Sequence, residues 1–468
     1  MRAEATPKPN AAENVLLYES AVKIYPRRAQ GRFAQWRIVA MLALLGTYYL
    51  TPWLRWNGQP LVLFDLPHRR FHVLTLTLVP QDLLLLALLL LLAALTLFFF
   101  TSLAGRLWCG YACPQTVWTE AFLWMEQLCE GDRYDRIKLD RAPWSANKLL
   151  RKGSKHLLWL GFALITGLTF VSYFVPAREL FPAALHLQLA GWSLFWVLFY
   201  GFATWGNAGF MREQVCKYMC PYARFQSAMF DRDTLIIAYD EHRGEPRKSV
   251  AKKDGQRPAD CVDCSLCVQV CPMGIDIRKG LQYECIACAA CVDVCDGVMD
   301  SVKKPRGLIR YTSSRHDSGG KFKLMRARTI GYGTVWLAAC TAFMTLVLMH
   351  SPLRFDVLRD RHALYRELSD GAIENVYTFK ITNDDSQEHQ YRVSAHLADG
   401  TPLTVEPDQL QRKPEETGAS TVALRTPPRD AQAQPLPMVE HVVVQIDQEG
   451  APGVSKTRSA SFLTGGKP

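Results

Sequence analysis

Cysteines carry the chemistry this chain advertises. Two stretches hold most of them: Cys261-Val-Asp-Cys264-Ser-Leu-Cys267-Val-Gln-Val-Cys271-Pro272 and Cys285-Ile-Ala-Cys288-Ala-Ala-Cys291-Val-Asp-Val-Cys295-Asp296. Each is the C-x2-C-x2-C-x3-C run of a bacterial ferredoxin. In such a run three thiolates grip one 4Fe–4S cluster and the fourth reaches across to the other. The predicted ligand sets are therefore crossed: Cys261, Cys264, Cys267 and Cys295 for one cluster, and Cys271, Cys285, Cys288 and Cys291 for the second. A zinc site wants a single tetrahedral set of four, usually two separated pairs, and fits this pattern poorly. Pro272 follows Cys271 as the run demands. Asp296 stands where a second proline would, a departure that leaves the ligands intact.

A second cysteine pattern repeats nearer the N-terminus. Trp108-Cys109-Gly-Tyr-Ala-Cys113-Pro114 and Val215-Cys216-Lys-Tyr-Met-Cys220-Pro221 share Cys, Tyr, Cys and Pro at equal spacing, and each follows an apolar run. A C-x3-C pair one helical turn apart would put both sulfurs on one face. Pro114 and Pro221 suit the first turn of a following helix. Amphipathic segments at 117–128 and 225–237 would then lie along a membrane interface. Four such thiols suit a soft ion such as Cu(I), a further iron–sulfur cluster, or a dithiol–disulfide pair. Plain burial as small apolar residues is the bland alternative. It is the better reading for the single Cys129 and Cys340, and for Met344 and Met349 near His350.

The elements that must position these residues are mostly apolar. Runs at 38–54, 83–103, 157–175, 192–210 and 329–349 each approach the ~20 residues a helix needs to cross the hydrocarbon, and the second has no charge. The formal net charge is +10. It concentrates beside the apolar runs, which points to a membrane rather than to nucleic acid. Segments 1–37, 104–155 and 211–328 are rich in Lys and Arg. Segment 55–82 has Arg55, Arg69 and Arg70, and segment 176–191 only Arg178. That asymmetry predicts a cytoplasmic N-terminal segment (1–37) and four spans carrying the first cysteine motif (38–210). A cytoplasmic segment (211–328) follows, with the second motif and a dicluster domain near 255–300. A fifth span (329–350) then leads to a periplasmic domain (351–468), the whole in an inner membrane. No signal-peptide core precedes the first run. The exported tail has no cysteine, as its lack of metal chemistry would allow, while a reducing cytoplasm suits cluster ligands. In that tail Tyr377, Phe379 and Ile381, then Tyr391, Val393, Ala395 and Leu397, then Val442, Val444 and Ile446 alternate with polar neighbours. This is half-buried strand patterning. Turns are expected at 383–385 and at Asp399-Gly400, and loop over 425–437. The fold class is a multi-domain membrane protein: a five-helix bundle, a ferredoxin-like domain and a C-terminal Ig-like β-sandwich.

The order of these motifs resembles the FixG/RdxA/CcoG family over nearly the whole chain. Those are accessory proteins for assembly of the cbb-type cytochrome c oxidase. The resemblance implies a cupric reductase in which electrons pass through two clusters and turn Cu(II) into Cu(I). It implies copper as substrate, and a copper-transporting ATPase and oxidase assembly factors as partners. It makes Cys109, Cys113, Cys216 and Cys220 the candidate copper or redox thiols. The NapH-like quinol dehydrogenases resemble the chain in its membrane motifs and ferredoxin runs but generally lack an exported β-tail. No glycine-rich nucleotide loop is evident, so the electron donor is a partner or a quinol. Spans without paired histidines argue against haem.

Overall fold

Apolar runs broken by Gly, Pro and basic clusters become helices, and the alternating tail becomes strands. A computed structural model describes residues 23–464, apart from 57, 75, 249–258, 322, 350–352, 361–363, 384–386, 415, 429–437, 452 and the side chain of residue 81. The chain divides into two units.

The first unit joins residues 1–46, 98–167 and 198–330. Its helix Arg32–Leu50 begins against the Asp293 carboxylate, which accepts hydrogen bonds from the N–H groups of Phe33 (3.0 Å) and Ala34 (2.7 Å). An acid borrowed from a distant segment thus caps the orphan donors of the first turn. Helix Pro114–Glu130 packs Phe122 on Trp159, Ala163 and Ala208. Gly209 lets them pack closely, because a Cβ there would stand 3.1 Å from the Trp159 ring. Beside this apolar cluster, buried Glu126 pairs with Arg136 at 3.1 Å and Arg212 at 2.9 Å, and buried Glu130 pairs with Lys155 at 2.8 Å. Opposite charges this deeply buried persist only when paired. Strands Ile236–Tyr239 and Ile309–Thr312 form an antiparallel ribbon. The ribbon closes a small core of Ile237, Met299, Leu308 and Ile309 against the cysteine loops.

The second unit joins residues 47–97, 168–197 and 331–468. Strand Ile373–Asn383 pairs with Thr417–Arg425 and Leu353–Arg359. Strand His389–Leu397 pairs with Val439–Gln448, which pairs with Ser455–Leu463. The short strand Pro402–Glu406 bonds to both groups. Tyr377, Phe379 and Ile381 from one group meet Tyr391, Val393, Val442, Val444 and Ile446 from the other in one core. The predicted alternation holds residue by residue. Asp399 turns the chain into Gly400 (φ +89°) by accepting a 2.8 Å bond from Thr401 N–H. The turn expected at 383–385 and most of the loop at 425–437 lie outside the described residues.

Among the described residues three helices are long and apolar enough to cross a membrane: Leu83–Ala104, Ala146–Val171 and Ala327–Leu348. Leu83, Leu84 and Leu90 stay about two-thirds exposed, as a lipid-facing surface would. The other two apolar runs fold differently in detail. The first is helix Arg32–Leu50 ending in a 3-10 turn at Thr51–Trp53. The fourth is a 14-residue α-helix, Gly191–Thr204, that widens into a π-helix at Trp205–Met211. The amphipathic segment expected over 225–237 is helical only to Ala228. Asp231 and Thr234 turn the chain there, and the β-branched pair Ile236-Ile237 enters the ribbon.

Candidate metal centre

The two ferredoxin runs share one backbone device. Asp263 and Ser265 flank Cys264 with φ of 55°, and Ala287 and Ala289 flank Cys288 with φ of 53° and 58°. Left-handed residues other than glycine are uncommon, and each stores strain that the surrounding structure must hold. Placed on both sides of the middle cysteine, they curl each loop round a cavity. Helices Leu266–Gln269 and Ala290–Ser301 then carry Cys267 and Cys291 in their first turns.

Two cavities of nearly equal size result, about 380 and 370 Å³. Cys261, Cys264, Cys267 and Cys295 line the first. Cys271, Cys285, Cys288 and Cys291 line the second, with Cys267 on the wall between. Each cavity thus takes the last cysteine of one run beside three of the other. All these thiols are free. Burial, and then the neighbouring thiols, push Cys271 and Cys295 up to about 12. Ionised thiolates in such a place need a cationic centre to bind. Among the described residues no three His, Cys, Asp or Glu side chains gather tightly enough for a single ion. Four thiols to a cavity match the donor set of a 4Fe–4S cluster.

Arg278 was not foreseen. It lines the first cavity, grips Asp276 with two 2.8 Å bonds and reaches Asp263 at 2.5 Å. It thereby ties the strained turn before Cys264 to the loop after Cys271. Its signal in the sequence was only an arginine between the two runs.

The membrane-motif cysteines come to the second cavity. Cys109 and Cys216 pack on Met273, Ile275 and Ile286, the same residues that back Cys271, Cys285 and Cys288. Burial, then Cys113, Cys109 and Cys220, push Cys216 up to about 12. The four thiols therefore share one neighbourhood. The Cys109 thiol donates to buried Gln226 Oε1 at 3.1 Å. Cys113 and Cys220 occupy equivalent places, each in extended backbone just before a helix whose first residue is proline. The expectation of two sulfurs on one helical face is corrected here. Cys109 sits in the short helix Leu107–Tyr111 and Cys216 in a π-turn, Val215–Met219, while each partner caps the next helix. Proline forces that break, since it cannot continue the preceding helix's hydrogen bonding.

Three residues missed by spacing arguments lock the motif to the cluster loop. Arg37 donates to the Cys288 carbonyl at 2.5 Å, and Arg106 donates to the Tyr283 carbonyl. Gly110 lies against Ile286 and Cys288 with no room for a Cβ. Arg37 is a charge one residue before an apolar run, and its flanking position suggested only a topology signal.

Comparison with known proteins finds iron–sulfur domains over both cysteine-rich regions. A 4Fe-4S dicluster domain profile matches residues 211–314, and a 4Fe-4S binding domain profile matches residues 86–128. The profile of the IG-like fold at the C-terminal of FixG matches residues 343–465. The nitrogen fixation protein FixG of Rhizobium meliloti is 40% identical over 407 residues, 78% of each chain. Protein RdxB of Cereibacter sphaeroides is 40% identical over 83% of this chain and 86% of its own. Protein RdxA of the same organism is 40% identical over the same shares. At 40% identity to these relatives over 78% to 83% of its length, the chain belongs to the FixG family of iron–sulfur electron-transfer proteins.

Proposed function

We propose that this chain is an inner-membrane cupric reductase. Cys261, Cys264, Cys267 and Cys295 hold one 4Fe–4S cluster, and Cys271, Cys285, Cys288 and Cys291 hold the other. Such clusters supply one-electron carriage. The protein's part is to place them and to bring an acceptor near. The observation that carries the reading is the packing of Cys109 and Cys216 on the residues that back the second cysteine set. A Cu(II) ion met by those thiols stands at the end of a short path. Thiolates favour Cu(I) over Cu(II), so they add driving force to the one-electron step.

The Lys and Arg distribution supports five spans, with the cluster region cytoplasmic and residues 351–468 periplasmic. The resemblance to assembly factors of the cbb-type oxidase supports delivery of the product ion to a copper-transporting ATPase that serves that oxidase. The test is direct. Protein reduced anaerobically by dithionite, then freed of it, is mixed with Cu(II) and a Cu(I)-specific chelator. One chelated Cu(I) per cluster is expected, with loss of the reduced-cluster paramagnetic signals. Clusters that stay reduced would remove copper from the function.

A further inference from the structure

Beside the second cavity lies a wide cleft, and Cys216 reaches its wall. It takes in about 1080 Å³ up to its open mouth. Five parts of the first unit wall it: residues 24–29 with Arg27 and Arg28, the first turns of helix Arg32–Leu50, one face of helix Pro114–Glu130, residues 212–216 with Arg212 and Glu213, and the cysteine loops at Met273 and Cys288. Ile38, Leu123 and the 40%-exposed ring of Trp124 make much of it apolar. Helix Arg32–Leu50 continues away from the cleft with Trp36, Val39 and Leu42 more than half exposed. The helix that walls the cleft thus carries a lipid-like surface on its other side.

Two polar groups stand out in this wall. Glu120 makes no hydrogen bond or ion pair among the described residues, although burial raises its pKa against the opposing pull of Arg37. A partly buried carboxyl without a partner is costly and asks for a ligand or a proton. Arg37 faces the cleft and also bonds the Cys288 carbonyl. The cleft thus opens directly on a residue of the second cysteine set.

The occupant must be apolar enough to arrive along the membrane, must offer a flat face to Trp124, and must have a proton for Glu120. It must also deliver electrons to carriers that take one each. A nucleotide would need a glycine-rich phosphate cradle, and no glycine lines this cleft. We propose that the cleft binds a lipid-soluble hydroquinone and is where electrons enter the chain. Both O–H bonds of the hydroquinone break and the quinone forms. The Glu120 carboxylate takes one proton, and water at the mouth takes the other. The two electrons leave past Cys288 to the two thiol-held clusters, one to each, so donor and acceptors balance. The proposal rests on the cluster assignment above, and its test is run without copper.

The full chain, in detergent, anaerobic and copper-free, with its clusters oxidised, is mixed with menadiol. The visible absorption of the clusters should bleach. Glu120→Gln and Trp124→Ala should each slow bleaching about tenfold or more, while dithionite still gives both variants the parental paramagnetic signals. Calorimetric titration with menadione should find one site, weakened about tenfold by Trp124→Ala. Should either variant fail to fold, the other carries the test. Menadiol that reduces both variants at the parental rate, or leaves dithionite-reducible parental clusters oxidised, overturns the proposal. A parent that binds menadione in a Trp124-dependent way yet lacks iron would overturn the cluster assignment while supporting the cleft.

Discussion

Gly110 and Ile286 approach so closely that a Cβ on Gly110 would stand 2.7 Å from the Ile286 carbonyl oxygen. The same Cβ would lie 2.9 Å from the Cys288 Cα. Both obstacles are backbone, so a side chain at 110 must push helix Leu107–Tyr111 off the cluster loop. Gly110→Ala should therefore lengthen the path between Cys109 and the second cysteine set. Copper reduction should slow about tenfold, with the iron content of the purified protein near the parental value. A variant that reduces copper at the parental rate would show that this contact does not set the path.

Ligation should be crossed. Cys295 lines the cavity of Cys261, Cys264 and Cys267, although it closes the other run. Cys295→Ser should damage the first cluster and spare the second, and Cys271→Ser should do the reverse. Paramagnetic resonance of the reduced variants separates the two cases. Loss confined to the cluster of the mutated residue's own run would reject the assignment.

Glu126 should be a structural charge. It is 1% exposed and faces both Arg136 and Arg212. Burial alone would raise its pKa, but Arg212 and Arg136 outweigh that and hold it below the usual range. Glu126→Gln leaves two buried cations with less to pair against and should cost about 3 kcal/mol. The sign follows from linkage: a depressed pKa gives stability that is present above the unfolded value of 4.5 and lost as pH falls through the folded one. The gap in thermal midpoint between parent and variant should therefore be widest near neutral pH and shrink in acid. An equal gap at all pH values would assign the loss to packing.

The curled cysteine loops, the strand faces and the two proline-started helices were all legible, because each depends on local spacing. Cysteine runs encode loop geometry within a dozen residues, and alternation encodes which face of a strand is buried. The locks between distant segments were not legible. Asp293 capping the helix at Phe33, Arg37 reaching Cys288 and Gly110 under Ile286 each join residues more than 170 positions apart. Nothing in a residue's own neighbourhood marks such a partner. The C-x3-C geometry misled for another reason: the proline just after each second cysteine holds that cysteine in extended backbone, outside the helix of its partner.

Orientation should follow the positive charges. A phosphatase reporter fused after Pro468 should be active in the periplasm, and one inserted near Gly255 should stay inactive in the cytoplasm. The asymmetry of Lys and Arg across the apolar runs motivates this. A cytoplasmic C-terminus would mean that an even number of the five runs crosses, with helix Gly191–Thr204 the first suspect because it has only 14 residues before its π-turn.

The membrane-motif thiols should decide where copper is reduced. Cys216 and Cys220 come from one repeat and Cys109 and Cys113 from the other, and burial raises the pKa of Cys109 and Cys216, with Cys113 and Cys220 near enough to add to it. Cys216 also packs on Met273 and Ile286, behind which the second cysteine set lies. Replacing Cys216 and Cys220 by Ser removes half of the soft donors but none of the cavity-lining cysteines of the ferredoxin runs. Cluster iron and paramagnetic signals should therefore stay at parental levels. Copper reduction should fall by about two orders of magnitude, because a hydroxyl neither binds Cu(I) well nor favours it over Cu(II). Replacing Cys340, which belongs to neither repeat, should change nothing and serves as the control. If the double variant reduces copper as fast as its parent, reduction occurs at an exposed edge of a cluster, where Cys264 is the one solvent-exposed cysteine among the described residues. Loss of iron in the double variant would instead mean that these thiols ligate a further cluster, and the copper site must then be sought elsewhere.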